Sequence, residues 1–312
     1  MNRFVIHNRQ INLAHVPVDT NHRGHTRGQM QVRRTVFYSK GQQFCNVHES
    51  RPKRWFQSNR YNVILFPMKN ASIAENYRTL INQINDAAIQ SGREPQSVLL
   101  LSVSKTHPSD RLREAYAAGA RHFGENYVQE ALDKIAELSA PGTSTPDITW
   151  HFIGPIQSNK TRDIAGAFDW VHSVDRLKIA QRLNDQRPDR LPPLNVCVQV
   201  NLSHEDTKAG VDIRDAEALC RQISQQMPHL KLRGLMAIPA PCDDIQAQRA
   251  TFRPLHDLFV QLQEQYPTMD TLSIGMSDDF PAAIAEGSTM IRVGTAIFGA
   301  REYPPSPHVS PV

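Results

Sequence analysis

Between Val98 and Gly299 short apolar runs alternate with helix-period segments eight times, and no other feature limits the possible folds as sharply. Runs without a polar face mark strands buried on both sides, as in parallel sheets. They are VLLLSVS (98–104), RHFGE (121–125), TWHFIG (149–154), WVHSV (170–174), LNVCVQVNL (194–202), LKLRGLMAI (230–238), TLSIGM (271–276) and MIRVGTAIFG (290–299). Between them lie DRLREAYAAG (110–119), VQEALDKIAEL (128–138), KTRDIAGAF (160–168), LKIAQRLNDQ (177–186), DAEALCRQISQQM (215–227), a long helix from about Ala247 to Tyr266, and PAAIAEG (281–287). Strict alternation implies right-handed βαβ units, and eight of them in about 240 residues predict a (β/α)₈ TIM-type barrel. A doubly wound open sheet carries a glycine-rich turn after its first strand. Here that turn is SKTHP, without glycine.

One more helix precedes the first strand. Ser72 and Glu75 form the pattern S-x-x-E of a capping box. Ile73, Tyr77, Leu80, Ile81, Ile84 and Ala88 follow helical spacing, and Gly92 stands where a C-terminal cap belongs.

Residues 1–67 are a different kind of sequence. They hold eleven Lys and Arg against Asp19 and Glu49, leaving 24 of the 35 basic and 29 of the 31 acidic residues to the rest. The body is therefore mildly acidic, and the overall charge of +4 is no argument for nucleic-acid binding by the barrel. The basic stretch has no sustained period and no apolar signal-peptide core. A transit peptide, a basic tail for RNA or a membrane surface, and an over-extended reading frame are all compatible with it. The last is favoured, because a well-formed domain begins just after Met68. The expected organisation is a poorly ordered basic segment (1–67), a barrel (68–304) and a short tail (305–312). No apolar run approaches the roughly 20 residues that span a bilayer. Cys45, Cys197, Cys220 and Cys242 are widely spaced, which predicts reduced thiols in a cytoplasmic protein. The 13 histidines show no metal-ligand spacing.

In a barrel, chemistry gathers at the carboxyl ends of the strands. Those ends carry Lys105, Glu125-Asn126-Tyr127, Gly154, Ser173 and Asp175, Asn201, Met236-Ala237-Ile238, Gly275-Met276-Ser277, and Arg292, Gly294 and Thr295. The last two groups resemble an anion site: small residues let backbone N–H groups approach a phosphate, and Ser and Thr add hydroxyl donors. Tight packing at the closing seam is the plainer alternative. Barrel closure sets strands seven and eight beside strand one, so a lysine faces the proposed phosphate cradle. A partly desolvated amine attacks carbonyls, and a phosphorylated aldehyde, pyridoxal 5′-phosphate, is its natural partner. Arg292 could then face the pyridine nitrogen. Without the phosphate pattern, Lys105 would be a snorkelling surface lysine.

Other polar residues have plainer readings. His151 lies well before its strand's end and reads as a structural, hydrogen-bonded histidine. Lys160 opens a helix and reads as solvated, and Lys208 as an ordinary loop lysine. Asp278 and Asp279 would repel a phosphate if aimed inward, so they are expected to cap the helix PAAIAEG.

The strings SVSKT, FGENYVQE (123–130), WHFIGPIQSNK (150–160), RGLMAI (233–238), GMSDD (275–279) and RVGTAIFG (292–299) together resemble the pyridoxal phosphate homeostasis protein family. The resemblance runs from about Met68 to Tyr303. It implies a fold like the N-terminal barrel of alanine racemases, with the cofactor held as a Schiff base on Lys105. It further implies that Ser277, Gly294 and Thr295 hold the phosphate, that Arg292 faces the pyridine nitrogen, and that Asn126 lies beside the cofactor. Alanine racemases take a second base, a tyrosine, from a C-terminal β-domain, and no such domain is expected after strand eight here. An arginine opposite the ring nitrogen also weakens the ring as an electron sink. The expectation is a non-catalytic, monomeric carrier that buffers pyridoxal phosphate or delivers it to apo-enzymes, regulating vitamin B6 and amino-acid and keto-acid pools. A racemase-like enzyme is the alternative, and a partner-binding module led by the basic N-terminus a third.

Overall fold

Val103 of the first barrel strand pairs with Gly124 of the second, and Arg292 of the last pairs with Leu101 of the first, so the sheet returns to its starting strand. In this computed structural model the described residues are 71–140, 142, 143, 145, 147–203 and 209–299. Two short strands near the N-terminus, Val5–Ile6 and Arg9–Gln10, are also described and form an antiparallel pair in a separate unit, Met1–Ser58. The expectations for the rest of residues 1–67, for the 305–312 tail, for Cys45 and for Lys208 lie outside the described residues.

The eight strands are β1 (Leu99–Val103), β2 (His122–Glu125), β3 (Thr149–Phe152), β4 (Trp170–Val174), β5 (Leu194–Asn201), β6 (Leu230–Met236), β7 (Thr271–Ser273) and β8 (Met290–Val293). All neighbours are parallel, in the order β4-β3-β2-β1-β8-β7-β6-β5, and β4 pairs with β5 to close the ring. This is the (β/α)₈ barrel that the alternation predicts. A two-residue strand, Val211–Asp212, pairs in parallel with the end of β5.

The helix α1 (Ile73–Gln90) precedes β1 and has the expected capping box: Ser72 accepts from the Glu75 N–H, and the Glu75 carboxylate accepts from the Ser72 N–H. Gly92 adopts φ +73°, the left-handed conformation that ends a helix. Ile73, Tyr77, Leu80 and Ile84 are buried, each worth about 1.5–3 kcal/mol of apolar burial at full coverage. Asn76 of α1 donates to the Ile297 carbonyl at 3.1 Å. The extra helix thus braces the segment after β8.

The remaining helices are α2 (Ser109–Ala117), α3 (Val128–Leu138), α4 (Thr161–Ala167), α5 (Leu177–Gln186), α6 (Ile213–Gln226), α7 (Ile245–Gln265), α8 (Phe280–Ala285) and α9 (Thr295–Phe298). Only the last departs from the sequence reading. MIRVGTAIFG is expected to be one strand, but extension stops at Val293, and Gly294 (φ −117°, ψ −69°) turns the chain into the single turn α9.

Apolar packing falls into two clusters. The large one fills the layer between sheet and helices, and a small one consists of Trp170, Cys197 and Met236. Side chains alternate across each strand, so these three lie on the barrel's inner face with Gly124, His151, Ser273 and Arg292. By the same register Leu101 and Met290 also face inward, so the lumen mixes polar side chains with apolar ones. Cys197 and Cys220 are buried free thiols, pushed up to about 12 by burial, and Cys242 is exposed. No helix among the described residues is long and apolar enough to cross a membrane.

Candidate functional site

A cavity of about 400 Å³ opens at the carboxyl ends of β1, β2, β7 and β8. That volume suits a small ligand. All six site residues singled out from the sequence line it: Lys105, Asn126, Ser277, Arg292, Gly294 and Thr295. Val103, Ile153, Ile238 and Met276 supply apolar wall, and His107 and Asp278 are polar members that the sequence reading did not include in the site. Gly154, Ser173, Asp175, Asn201 and Lys160 do not line it.

Register explains the convergence. Val293 is level with Ser102 on β1, so the residues after each strand run side by side. A Cβ on Gly294 would lie 2.9 Å from the Val103 carbonyl oxygen, so glycine lets the turn into α9 sit against β1. After β7, Gly275 adopts φ +96°, and the Asp279 carboxylate accepts from the Met276 N–H at 2.6 Å. Asp279 stands at the N-cap of α8, yet its side chain makes no cap bond to that helix. The expected capping pair is thus corrected: Asp279 folds back to brace the turn that carries Ser277, and Asp278 lines the cavity. Burial raises the Asp279 pKa, against the pull of that N–H.

Arg292 is only 4% exposed. Its Nη1 donates to the Ser273 carbonyl at 2.5 Å and to the Ser273 hydroxyl at 2.8 Å, and Nη2 donates to the Ala237 carbonyl at 2.9 Å. No carboxylate among the described residues forms an ion pair with it. Burial lowers its pKa to about 10, with Asp279 opposing. A buried guanidinium held by neutral acceptors leaves the cavity floor positive, which favours an anionic ligand.

The Arg292 bonds continue into a chain that spacing did not reveal. His172 Nδ1 lies 3.0 Å from the Ser273 hydroxyl, His172 Nε2 lies 2.9 Å from His151 Nδ1, and His151 Nε2 lies 3.0 Å from His122 Nδ1. Arginine can only donate. The Ser273 hydroxyl accepts from Arg292 and keeps one O–H to donate; with that O–H directed at His172 Nδ1, His172, His151 and His122 would each carry their proton on Nε2. His151 is thus the buried, hydrogen-bonded histidine expected, and it also stacks on Trp170 at 5.4 Å between ring centroids. Burial lowers the pKa of all three, that of His172 to about 3, so they remain neutral.

Asn126 follows β2. A Cβ on Gly154 would overlap its carbonyl, so glycine there allows the close approach of the two loops. The Asn126 Oδ1 is buried without a hydrogen-bond partner. Amide O and N interchange by a flip, so this side chain is a polar group available to a ligand.

These features accommodate an anionic molecule bearing a carbonyl: an amine at one wall, a cation at the floor, glycine-backed turns at the rim and an unsatisfied amide. Residues 72–302 match the family described as alanine racemase, N-terminal domain. The chain belongs to that family of barrels. Within it, the chain is 57% identical over 233 residues to the pyridoxal phosphate homeostasis protein of Pseudomonas aeruginosa, spanning 75% of this chain and 97% of that one. It is 52% identical over 231 residues to the protein of the same name from Escherichia coli K12, spanning 74% and 97%. The structure of PipY from Synechococcus elongatus with pyridoxal phosphate bound is 43% identical, with a TM-score of 0.63, covering 73% of this chain and 100% of PipY.

Proposed function

We propose that this protein binds pyridoxal 5′-phosphate through Lys105 and buffers or hands on the cofactor without turning over an amino acid. The observation that carries this reading is the convergence, on one cavity, of Lys105, the buried Arg292 guanidinium, and the two turns at Ser277 and Gly294–Thr295. The cofactor supplies an aldehyde that condenses reversibly with a primary amine. Lys105 supplies that amine. Ser277 and Thr295 would offer hydroxyls to the phosphate, and Gly294, packed against Val103, begins a helical turn whose first N–H groups have no partner within the helix. Arg292 would face the ring nitrogen and oppose its protonation by charge, and the Asn126 amide would lie beside the ring. The names of the P. aeruginosa and E. coli relatives and the pyridoxal phosphate bound to PipY support the choice of ligand. In this reading the protein is a cytoplasmic monomer that serves apo-enzymes.

Borohydride reduction of the loaded protein, followed by peptide mass analysis, tests it. A pyridoxyl label on Lys105 alone is expected. A label elsewhere, or none, would overturn the assignment.

A second reading, turnover of an amino acid, draws on His107 and Asp278, which line the same cavity. His107 stacks on Phe298 with ring centroids 5.0 Å apart. Sustained exchange of the α-proton of an amino acid for deuterium, lost in Lys105→Ala, would replace the carrier reading with this one.

A further inference from the structure

Thr106, next to Lys105, adopts φ +67°. A β-branched residue there is strained, and such strain persists only where the surroundings enforce it. The enforcing group is Glu130, whose Oε1 accepts from the Thr106 N–H at 2.6 Å. The same oxygen lies 2.6 Å from Lys134 Nζ. Lys134 reaches across to the other side of Lys105, donating to the Ser104 carbonyl at 2.9 Å and to Glu125 Oε1 at 2.8 Å. The Ser104 hydroxyl donates to that Glu125 oxygen at 2.6 Å.

We propose that Glu125, Glu130 and Lys134 are positioning residues that clamp the backbone on both sides of Lys105 and so aim its amine at the cavity. The inference rests on the reading of Lys105 as the residue that holds the cofactor. Glu130 and Lys134 are four apart on α3, so they arrive together on one face. Glu125 is fully buried and Lys134 is 6% exposed. Burying an ion pair is costly, and apolar side chains would fill the same space without that cost. What apolar side chains cannot do is bond the carbonyl before the lysine and the N–H after it. The same segment carries Asn126, so the clamp also ties that residue to Lys105.

The test uses the full chain and two measurements. The first is hydrogen exchange of the Thr106 amide in cofactor-free protein. The second is the rate at which pyridoxal phosphate becomes borohydride-trappable on Lys105. Glu130→Ala is expected to speed the exchange and to slow trapping by on the order of tenfold to a hundredfold, the scale of a misplaced reacting group. Glu130→Gln keeps an acceptor and is expected to stay near wild type. Thr106→Asn in the Glu130→Ala background is expected to recover part of the trapping rate, because asparagine tolerates the left-handed conformation. Wild-type exchange and trapping in Glu130→Ala would overturn the clamp, as would failure of Thr106→Asn to rescue. If Glu130→Ala does not fold, Lys134→Met makes the same comparison through exchange of the Thr106 amide and trapping at Lys105. If wild-type Lys105 takes no label, the cofactor reading fails, and exchange at Thr106 still judges the clamp.

Discussion

His172 Nδ1 lies 3.0 Å from the Ser273 hydroxyl, and that hydroxyl lies 2.8 Å from Arg292 Nη1. The histidine therefore orients an acceptor for the cation in the cavity floor. Removing the serine oxygen in Ser273→Ala leaves Arg292 with its two carbonyl acceptors and loses one hydrogen bond to a charged group, about 1.5–3 kcal/mol. Weaker pyridoxal phosphate binding is expected, by roughly tenfold if about half of that reaches the complex. His172→Phe keeps the ring and is expected to weaken binding in the same direction. Equilibrium dialysis checks both. Unchanged affinity in Ser273→Ala would mean that the chain does not act on Arg292.

The three neutral histidines make stability depend on pH. The folded pKa of His172 is about 3, and those of His151 and His122 are also below the ordinary 6.5. Above pH 6.5 both folded and unfolded chains are neutral at these sites and the stabilisation is complete. As pH falls from 6.5 toward 3 the unfolded chain takes a proton that folded His172 refuses, so stability is lost by about 1.4 kcal/mol per pH unit, and His151 and His122 act in the same direction. Burial raises the Glu125 pKa, which works the other way just above pH 4.5. Urea midpoints measured from pH 7.5 to 5 should fall, and should fall less in His122→Gln. A flat wild-type profile would contradict the neutral chain.

Arg292 illustrates a site bought with stability. Its guanidinium is buried without an ion-pair partner among the described residues. Arg292→Met removes a desolvated charge and fills a similar volume, although it leaves the Ser273 and Ala237 carbonyls without that donor. The cofactor-free protein is expected to be as stable as wild type or more stable, by up to about 2 kcal/mol, while the cofactor binds weakly. Thermal melting with and without pyridoxal phosphate separates the two effects. A cofactor-free variant several degrees less stable would show that the cation holds the barrel together.

The barrel was legible because parallel strands buried on both faces appear as continuous apolar runs, and because Ser72, Glu75 and Gly92 announce both ends of α1. Lys105, Ser277, Arg292, Gly294 and Thr295 were legible through the small-residue and hydroxyl pattern at the strand ends, through the family resemblance, and through topology, since closure of an eight-stranded ring makes its first and last strands neighbours. The break at Gly294 was hidden, because the four residues of α9, TAIF, continue the apolar pattern of β8. The histidine chain was hidden for another reason. His122, His151 and His172 sit on three strands at separations of 29 and 21 residues, and only strand register brings them together. Asp279 occupied the expected cap position, but a side chain that bonds backward to Met276 leaves no trace in the order of residues. Thr106 likewise gives no sign of its backbone conformation, because its partner Glu130 lies a helix away.

The division of apolar packing into a large outer cluster and a three-residue inner one has a consequence for how such a chain can change. The wall of the barrel is sealed from outside by its helices, so the lumen is spared the work of holding the wall up. It can be lined with wiring instead: arginine, serine and histidines in series. Descendants of this barrel can rewire the lumen for another ligand and inherit the wall untouched.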